Sequence, residues 1–336
     1  MTVVLLNDLP MRNETTPLQG INLSGLNTVK LNVFPKFIED KKERTAVFKT
    51  IRKDLQKTLS DLAPRMIIPL GPFGIKACLN TSGLPNFANY RGSISVVKWA
   101  ENKPVDVTKY KATYPVDADK TFICPILSPW FVRRAPEWTE ISQRDIDRMH
   151  RVLNEGWVPY EYREGVDLLQ ATSDLDYLGL DFNSTVALDI ETTEEPPHLA
   201  KLICLVISDK TKSLVIPYSR TLDGRSEYWS HIEYFRNKLN RFLLDHTAVT
   251  HNGMAFDHLV LHRYGVRIPH WEDTIIAAHV LEGHMRKNLF EACSRYLDVW
   301  PWKQHSHDTM DELIAYNHTD GVNTIRLWHE IKEHVS

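Results

Sequence analysis

The sequence predicts an α/β protein with two domains. Its 336 residues are enough for two hydrophobic cores. Short apolar runs alternate with stretches of helical periodicity, which is typical of sheets covered by helices. Apolar residues make up 43% of the chain and charged residues 25%, as in ordinary globular proteins. No apolar run is long enough to cross a membrane, so we expect a cytoplasmic protein with no membrane partner.

The first half contains four apolar runs that predict strands. They lie at 3–6, 28–34, 65–71 and 121–127, with helical patterns at 45–62 and 142–154. A segment rich in Gly, Pro and charge then interrupts the pattern at 154–172. We therefore expect one domain at 1–155, a linker at 156–180 and a second domain at 181–336.

The second half predicts a mixed sheet. Strands are expected at 186–190, 201–209, 213–219 and 248–252, and helices at 231–245, 256–264 and 311–333. The short turn after Asp209 indicates that the first three strands form an antiparallel meander. The fourth strand follows a helix, so it can join the sheet in a different direction.

Charge is distributed unevenly between the halves. Residues 1–165 carry a net charge of +6 and residues 166–336 carry −9. The basic half is either a source of phosphate contacts or a mildly basic domain with solvated lysines. The four cysteines are far apart and form no CxxC pair, which predicts reduced, buried thiols and neither a zinc site nor a disulfide framework.

Four acids and one tyrosine form the strongest functional pattern. Asp189 and Glu191 end an apolar run and would leave a strand on the same side. Tyr316 and Asp320 are four apart on a helical pattern, so they would share a face. Asp257 lies between these segments. Carboxylates gathered in one place repel unless cations lie among them, and hard oxygen ligands favour Mg²⁺ or Mn²⁺. Such a set is suited to two-metal phosphodiester hydrolysis.

These segments resemble the Exo I (DxE), Exo II and Exo III (YxxxD) motifs of the DEDDy 3′–5′ exonucleases, particularly the proofreading domains of phage family A DNA polymerases. The resemblance implies a ribonuclease-H-like sheet and two Mg²⁺ or Mn²⁺ ions. It assigns the ions to Asp189, Glu191, Asp257 and Asp320, and the hydrogen bond to the attacking water to Tyr316. Ala315 stands where the DEDDh subclass has a histidine, which favours the tyrosine subclass.

The roles of the residues near these motifs are predicted less specifically. Substrate contacts are expected at Thr192, Asn252 and Phe256, with the alternatives that Asn252 fixes a turn and Phe256 packs in the core. Asp257 is itself a credible helix cap, and Asp273 is expected to cap the next helix.

The segment 300–309 combines two tryptophans with a lysine and two histidines. It is suited to stacking on a single strand, or else it is a surface loop. His305 and His307 make a weak metal site, and His318 is expected on a helix surface.

The first half resembles the family 4-like uracil-DNA glycosylases in its opening segment, central strand and helix, and the Asn89–Gly92 segment. The usual catalytic histidine is replaced by Ser128, Asp8 stands at the acid position, and Leu18 replaces a stacking aromatic residue. The cysteine ligands of the family's iron–sulfur cluster are missing. The resemblance therefore implies a three-layer scaffold or DNA-binding domain without base excision. The alternative is residual activity through a water activated by Asp8.

Two arginines of this half, Arg133 and Arg134, lie where the family's loop meets DNA, although adjacent arginines are more often simply exposed. For the whole chain we expect a proofreading exonuclease acting on single-stranded or frayed DNA 3′ ends. Because only sixteen residues follow Asp320, we expect a split phage polymerase with a separate synthesis subunit, or else a truncated chain. The alternatives are a ribonuclease D-like RNA exonuclease and an idle nucleic-acid-binding accessory factor.

Overall fold

The chain divides into two compact units in a computed structural model. The structure describes residues 2–8, 26–108, 120–157, 166–170, 176–179, 181–193, 196–227, 232–304 and 307–335. Unit 1 comprises Met1–Tyr160 with Asp298–Pro301, and unit 2 comprises Glu161–Leu297 with Trp302–Ser336. The sequence prediction did not include the return of four residues to unit 1. Of the predicted linker 156–180, the structure describes 156–157, 166–170 and 176–179, and Asp167–Gln170 forms a strand. The predicted domain bounds remain a prediction.

Unit 1 is built on a six-stranded sheet with the order β2-β1-β3-β6-β4-β5. Its strands are β1 (Thr2–Asn7), β2 (Asn27–Asn32), β3 (Met66–Pro69), β4 (Ser95–Ala100), β5 (Lys103–Asp106) and β6 (Thr121–Ile123). The first four strands in this order run parallel, and β4 and β5 add antiparallel pairs at one edge. The predicted strands are present, while β4 and β5 had no counterpart in the prediction.

Helices cover both faces of this sheet. They are α1 (Lys41–Leu62), α2 (Pro72–Leu79) and α4 (Thr139–Glu155), while the short helix α3 (Pro129–Arg134) contains no buried residue. Because side chains alternate along β1, Val4 and Leu6 enter the core shared with α1 and α2. Val3 and Leu5 enter the core shared with α4. The predicted three-layer arrangement is therefore confirmed.

Unit 2 contains a second six-stranded sheet with the order β12-β11-β8-β9-β10-β7. Its strands are β7 (Asp167–Gln170), β8 (Thr185–Thr192), β9 (Leu202–Ser208), β10 (Lys212–Pro217), β11 (Thr247–Thr250) and β12 (Trp271–Asp273). Strands β8, β9 and β10 form the predicted antiparallel meander, and β11 lies parallel to β8. The predicted mixed sheet is confirmed.

The helices of unit 2 lie on opposite faces of its sheet. They are α5 (Ile232–Leu244), α6 (Asp257–Arg263), α7 (Thr274–Leu281), α8 (Leu289–Tyr296) and α9 (Met310–Ile331). Helices α5 and α6 share a core with Leu188 and Ile190 of β8. Helix α9 packs on the other face, where Ile325 meets Ala187. In the part of the chain that the structure describes, no helix combines the length and apolar character needed to span a membrane.

Candidate active site

Strand β8 presents two acids to helix α9. Ala187 packs with Ile325 of that helix, and alternation puts Asp189 and Glu191 on the same face of the sheet. In the ladder with β9, Asp189 is opposite Val206 and Glu191 is opposite Cys204, before an irregularity at Thr192. The two carboxylates therefore extend from a paired strand, which fixes their backbone.

Helix α9 brings a third acid to the same place. One carboxylate oxygen from each of Asp189, Glu191 and Asp320 lies within 4.8 Å of the other two. Asp320 is only 2% exposed. Asp189 and Glu191 are partly exposed. Hard carboxylate oxygens at this spacing fit Mg²⁺ or Mn²⁺. Tyr316 lies one turn earlier on α9, so the structure brings the predicted strand and helix residues together.

Asp257 reaches β8 from the side of β11. The parallel ladder between β8 and β11 ends at Ala187 and Val249, so the backbone beyond it is open on that side. There the Ile190 N–H donates to Asp257 Oδ1 at 3.2 Å. Asp257 is the first residue of α6 and Phe256 holds the N-cap position, so the suggested role of Asp257 as N-cap is wrong. Its carboxylate is directed to the strand that carries the other acids.

Burial and mutual repulsion make these acids hard to ionise. Burial raises the pKa of Asp189 well above its usual range, and the charges of Asp320, Asp257 and Glu191 raise it further. Burial and Asp320 raise the pKa of Glu191 to about 8, against the opposing effect of Lys303. Burial raises the pKa of Asp257 to about 7. A cation among these groups would remove this penalty.

Three further residues complete the site. Asn317, which is fully buried, donates from Nδ2 to Asp189 Oδ2 at 2.8 Å. Lys303 Nζ donates to Asp320 Oδ2 at 2.6 Å and to the Tyr316 hydroxyl at 2.7 Å. Trp302 Nε1 donates to Asp320 Oδ1 at 2.5 Å. The sequence could have suggested Asn317, because it is three residues before Asp320 on one helix face. Trp302 and Lys303 belong to the segment 300–309, which the sequence marked for strand stacking, but no spacing linked them to the acids.

The segment 300–309 is buried at one end and exposed at the other. Trp302 is 1% exposed, so it does not stack on a strand. Gln304 and residues 307–309 are exposed, as the surface-loop alternative predicted. The ring of His307 lies 4.8 Å from that of Tyr316, and His305 lies outside the described residues. His318 is fully buried, so its predicted surface position is wrong. The cause is that α9 is enclosed around its middle turns, where polar residues also face neighbouring elements.

The loop before α6 is held by Asp273. Its carboxylate accepts from the N–H groups of Asn252 and Gly253, both at 2.9 Å, and from Ile275 N at 2.9 Å. The last bond makes Asp273 the predicted N-cap of α7. Asn252 has φ 65°, in the left-handed region, which agrees with a turn-fixing role.

The remaining predicted substrate residues lie near the acids. Phe256 is partly buried against the core, as the packing alternative predicted. Thr192 ends β8, and its hydroxyl donates to the Thr193 carbonyl at 3.1 Å. Substrate contacts by Thr192, Asn252 and Phe256 stay predictions. All four cysteines are free and buried, as predicted.

In unit 1, the residues suggested for glycosylase chemistry have local structural contacts. Asp8 accepts from Phe73 N at 3.1 Å and Gly74 N at 2.8 Å, at the start of α2. Burial raises the pKa of Asp8 to about 6, although these bonds oppose the shift. Ser128 caps α3 by accepting from Phe131 N at 3.2 Å. Leu18 lies outside the described residues.

Comparisons with known proteins give matches to solved structures. No family model and no curated protein matches the chain. Brucella melitensis NrnC is 25% identical over 49% of this chain and 78% of its own, with a TM-score of 0.38. The catalytic core of RRP6 from Trypanosoma brucei is 16% identical over 50% and 46%, with a TM-score of 0.37. Escherichia coli RNase D, an exoribonuclease, is 16% identical over 50% and 46%, with a TM-score of 0.31.

Proposed function

We propose that this chain is a metal-dependent 3′–5′ exonuclease that removes nucleotides from single-stranded or frayed DNA ends. The supporting observation is the convergence of Asp189, Glu191 and Asp320, whose oxygens come within 4.8 Å of one another. Asp257 joins them through its bond to β8. Two Mg²⁺ or Mn²⁺ ions, when bound, would supply an activated water and stabilise charge on the leaving 3′ oxygen.

The protein's own groups would orient the reactants. Asp189, Glu191, Asp257 and Asp320 would hold the ions. Because Lys303 donates to the Tyr316 oxygen, the phenol keeps its own proton to donate to the attacking water or to a phosphate oxygen. Asp257 and Asp320 are buried, so the hydrogen bonds to their carboxylates lie in a medium of low dielectric constant, where such bonds are strong.

Unit 1 would serve as a scaffold or DNA-binding domain without base excision. Its support is that Ser128, at the position of the glycosylase histidine, is a helix cap, and that Asp8 holds the start of α2. Exposed Trp130, with Arg134 stacked 4.4 Å from its ring, offers an aromatic and cationic surface that suits nucleic acid.

The proposed partner of the whole chain is a separate DNA polymerase subunit, whose errors this chain would remove. The sequence motifs are the support for that role.

A polarity assay tests the proposal. With Mg²⁺ or Mn²⁺, a 5′-labelled oligonucleotide should give a descending ladder, and a 3′-labelled one should release labelled mononucleotide first. EDTA and Asp189→Ala should each abolish both products. A ladder that persists in either condition would show that another nuclease is responsible.

The same assay separates the alternatives. Matched DNA and RNA strands decide between the proposed DNA exonuclease and a ribonuclease D-like enzyme, because only RNA offers a 2′-hydroxyl. Binding of either strand without cleavage would favour an idle accessory factor.

A separate assay tests unit 1. A uracil-containing duplex should yield no abasic product, and the appearance of an abasic product would contradict the scaffold role of unit 1.

A further inference from the structure

Lys303 contacts Asp320 as well as Tyr316, and the proposed chemistry explains only the contact with Tyr316. Its ammonium lies 2.6 Å from Asp320 Oδ2 and 2.7 Å from the Tyr316 hydroxyl. It also lies 4.6 Å from the centre of the Tyr316 ring. The side chain is 28% exposed, whereas that of Asp320 is 3% exposed.

Both oxygens of Asp320 already have donors. Trp302 donates to Oδ1 from a buried indole, whereas Lys303 donates to Oδ2 from a flexible, partly exposed side chain. A divalent cation held by Asp320 would repel an ammonium on the same carboxylate. Of the two donors, only the lysine carries a charge, and its stem has the rotatable bonds needed to withdraw.

We propose that Lys303 is an exchangeable counter-ion: it holds Asp320 before metal binds, yields that carboxylate to the incoming cation, and retains its bond to Tyr316. Lys303 thereby becomes a positioning residue for the phenol. The inference rests on the proposed function for its catalytic consequence. Its metal-binding consequence can be measured without any substrate.

A counter-ion role and a merely structural role of Lys303 predict opposite changes in Mn²⁺ affinity when the lysine is replaced. Removing a competing ammonium should make Mn²⁺ bind at least about threefold more tightly in Lys303→Met than in the wild type. A side chain that merely supports the structure would instead disorganise Asp320 when removed and weaken binding. Calorimetric titration with Mn²⁺ alone measures this difference. Lys303→Gln is the second neutral variant if the methionine variant does not fold.

Two matched variants serve as controls for the Mn²⁺ titration. Lys303→Arg keeps the positive charge and should bind Mn²⁺ no more tightly than the wild type. Lys332→Met removes a half-exposed lysine beyond α9 and should leave the affinity unchanged. Equal or weaker binding in the neutral Lys303 variants would overturn the inference, as would equal tightening in Lys303→Arg.

A double-mutant cycle tests the positioning of Tyr316. Lys303→Met should lower kcat by about tenfold or more in the wild-type background, and by much less in Tyr316→Phe, because the bond is already lost there. Additive effects would contradict the positioning role. If the wild type binds Mn²⁺ but cleaves no nucleic acid, the proposed function fails while the titration still decides the counter-ion role.

Discussion

The acidic side chains of the site are held by donors that lie far from them in the sequence. Asp189 accepts from Asn317, and Asp320 accepts from Trp302 and Lys303. Asp257 accepts from the backbone of β8. These bonds fix each carboxylate before a cation arrives, and under the counter-ion proposal only the bond from Lys303 to Asp320 is given up when the cation binds.

The first prediction concerns Asp189. Asp189→Asn keeps the shape of the side chain but removes a charged ligand, so we expect exonuclease activity to fall by about 10³-fold or more. Melting temperature should not fall, because repulsion among the acids is relieved. Asp311→Asn, an exposed acid on α9, is the control and should retain activity. Comparable losses in both variants would contradict the assignment.

The second prediction concerns pH. The folded metal-free protein keeps a proton on Glu191 up to about pH 8, whereas the unfolded chain loses it near the ordinary value of 4.5. The stability contributed by this raised pKa is present below the unfolded value and is lost as pH rises through the folded one. Urea unfolding in EDTA should therefore show stability falling between about pH 5 and about pH 8.5. Glu191→Gln should flatten this slope, and a slope unchanged by that substitution would contradict the prediction.

At the scale of elements, the site depends on how closely α9 lies on the sheet. Gly321 of α9 faces β9, and a Cβ there would come within 2.7 Å of Ser208 Oγ and 2.8 Å of Val206 Cγ1. Val206 is the ladder partner of Asp189. A change in this contact would therefore move the helix that carries Asp320 relative to the strand that carries Asp189.

The third prediction tests this contact. Gly321→Ala favours the helix by about 1 kcal/mol. The clash with β9 should cost about 1–3 kcal/mol, because Val206 is buried in the sheet. We therefore expect a net loss of stability in urea unfolding, together with a lower kcat. A stabilised variant with full activity would show that α9 can shift without harm.

Element-level patterns explain what could be predicted from the sequence. Asp189 and Glu191 share a strand, and Tyr316 and Asp320 share a helix, so period and spacing were enough to place each pair on one face. Lys303 could not be found this way, because its relation to Asp320 depends on tertiary packing. His318 was placed wrongly because a polar residue usually marks a solvent face, whereas α9 is buried there by its neighbours.

At the scale of the whole molecule, the chain returns to unit 1 late in the sequence. Arg148 Nε donates to Asp298 Oδ1 at 2.7 Å, and Ile94 N donates to the Val299 carbonyl at 2.9 Å. Trp300 packs against the core that α4 shares with the sheet. Arg148 and Asp298 are 150 positions apart, so this ion pair closes a very long loop.

The fourth prediction tests that pair. Asp298→Ala leaves Arg148, whose side chain is 7% exposed, without one of its carboxylate partners. We expect unit 1 to lose about 3 kcal/mol of stability. Hydrogen exchange should quicken in Thr139–Glu155. Asp245→Ala, an exposed acid of unit 2, serves as control and should leave that helix protected.

The return of Asp298–Pro301 to unit 1 also bears on the order in which the protein is made. During synthesis, the ribosome releases Trp300 only after the long first segment of unit 2, Glu161–Leu297, has emerged. Unit 1 therefore cannot complete its core until Glu161–Leu297 of unit 2 has been translated, although its sheet strands come first. The N-terminal half is synthesised early, but it finishes folding only when the residues next to Lys303 have left the ribosome.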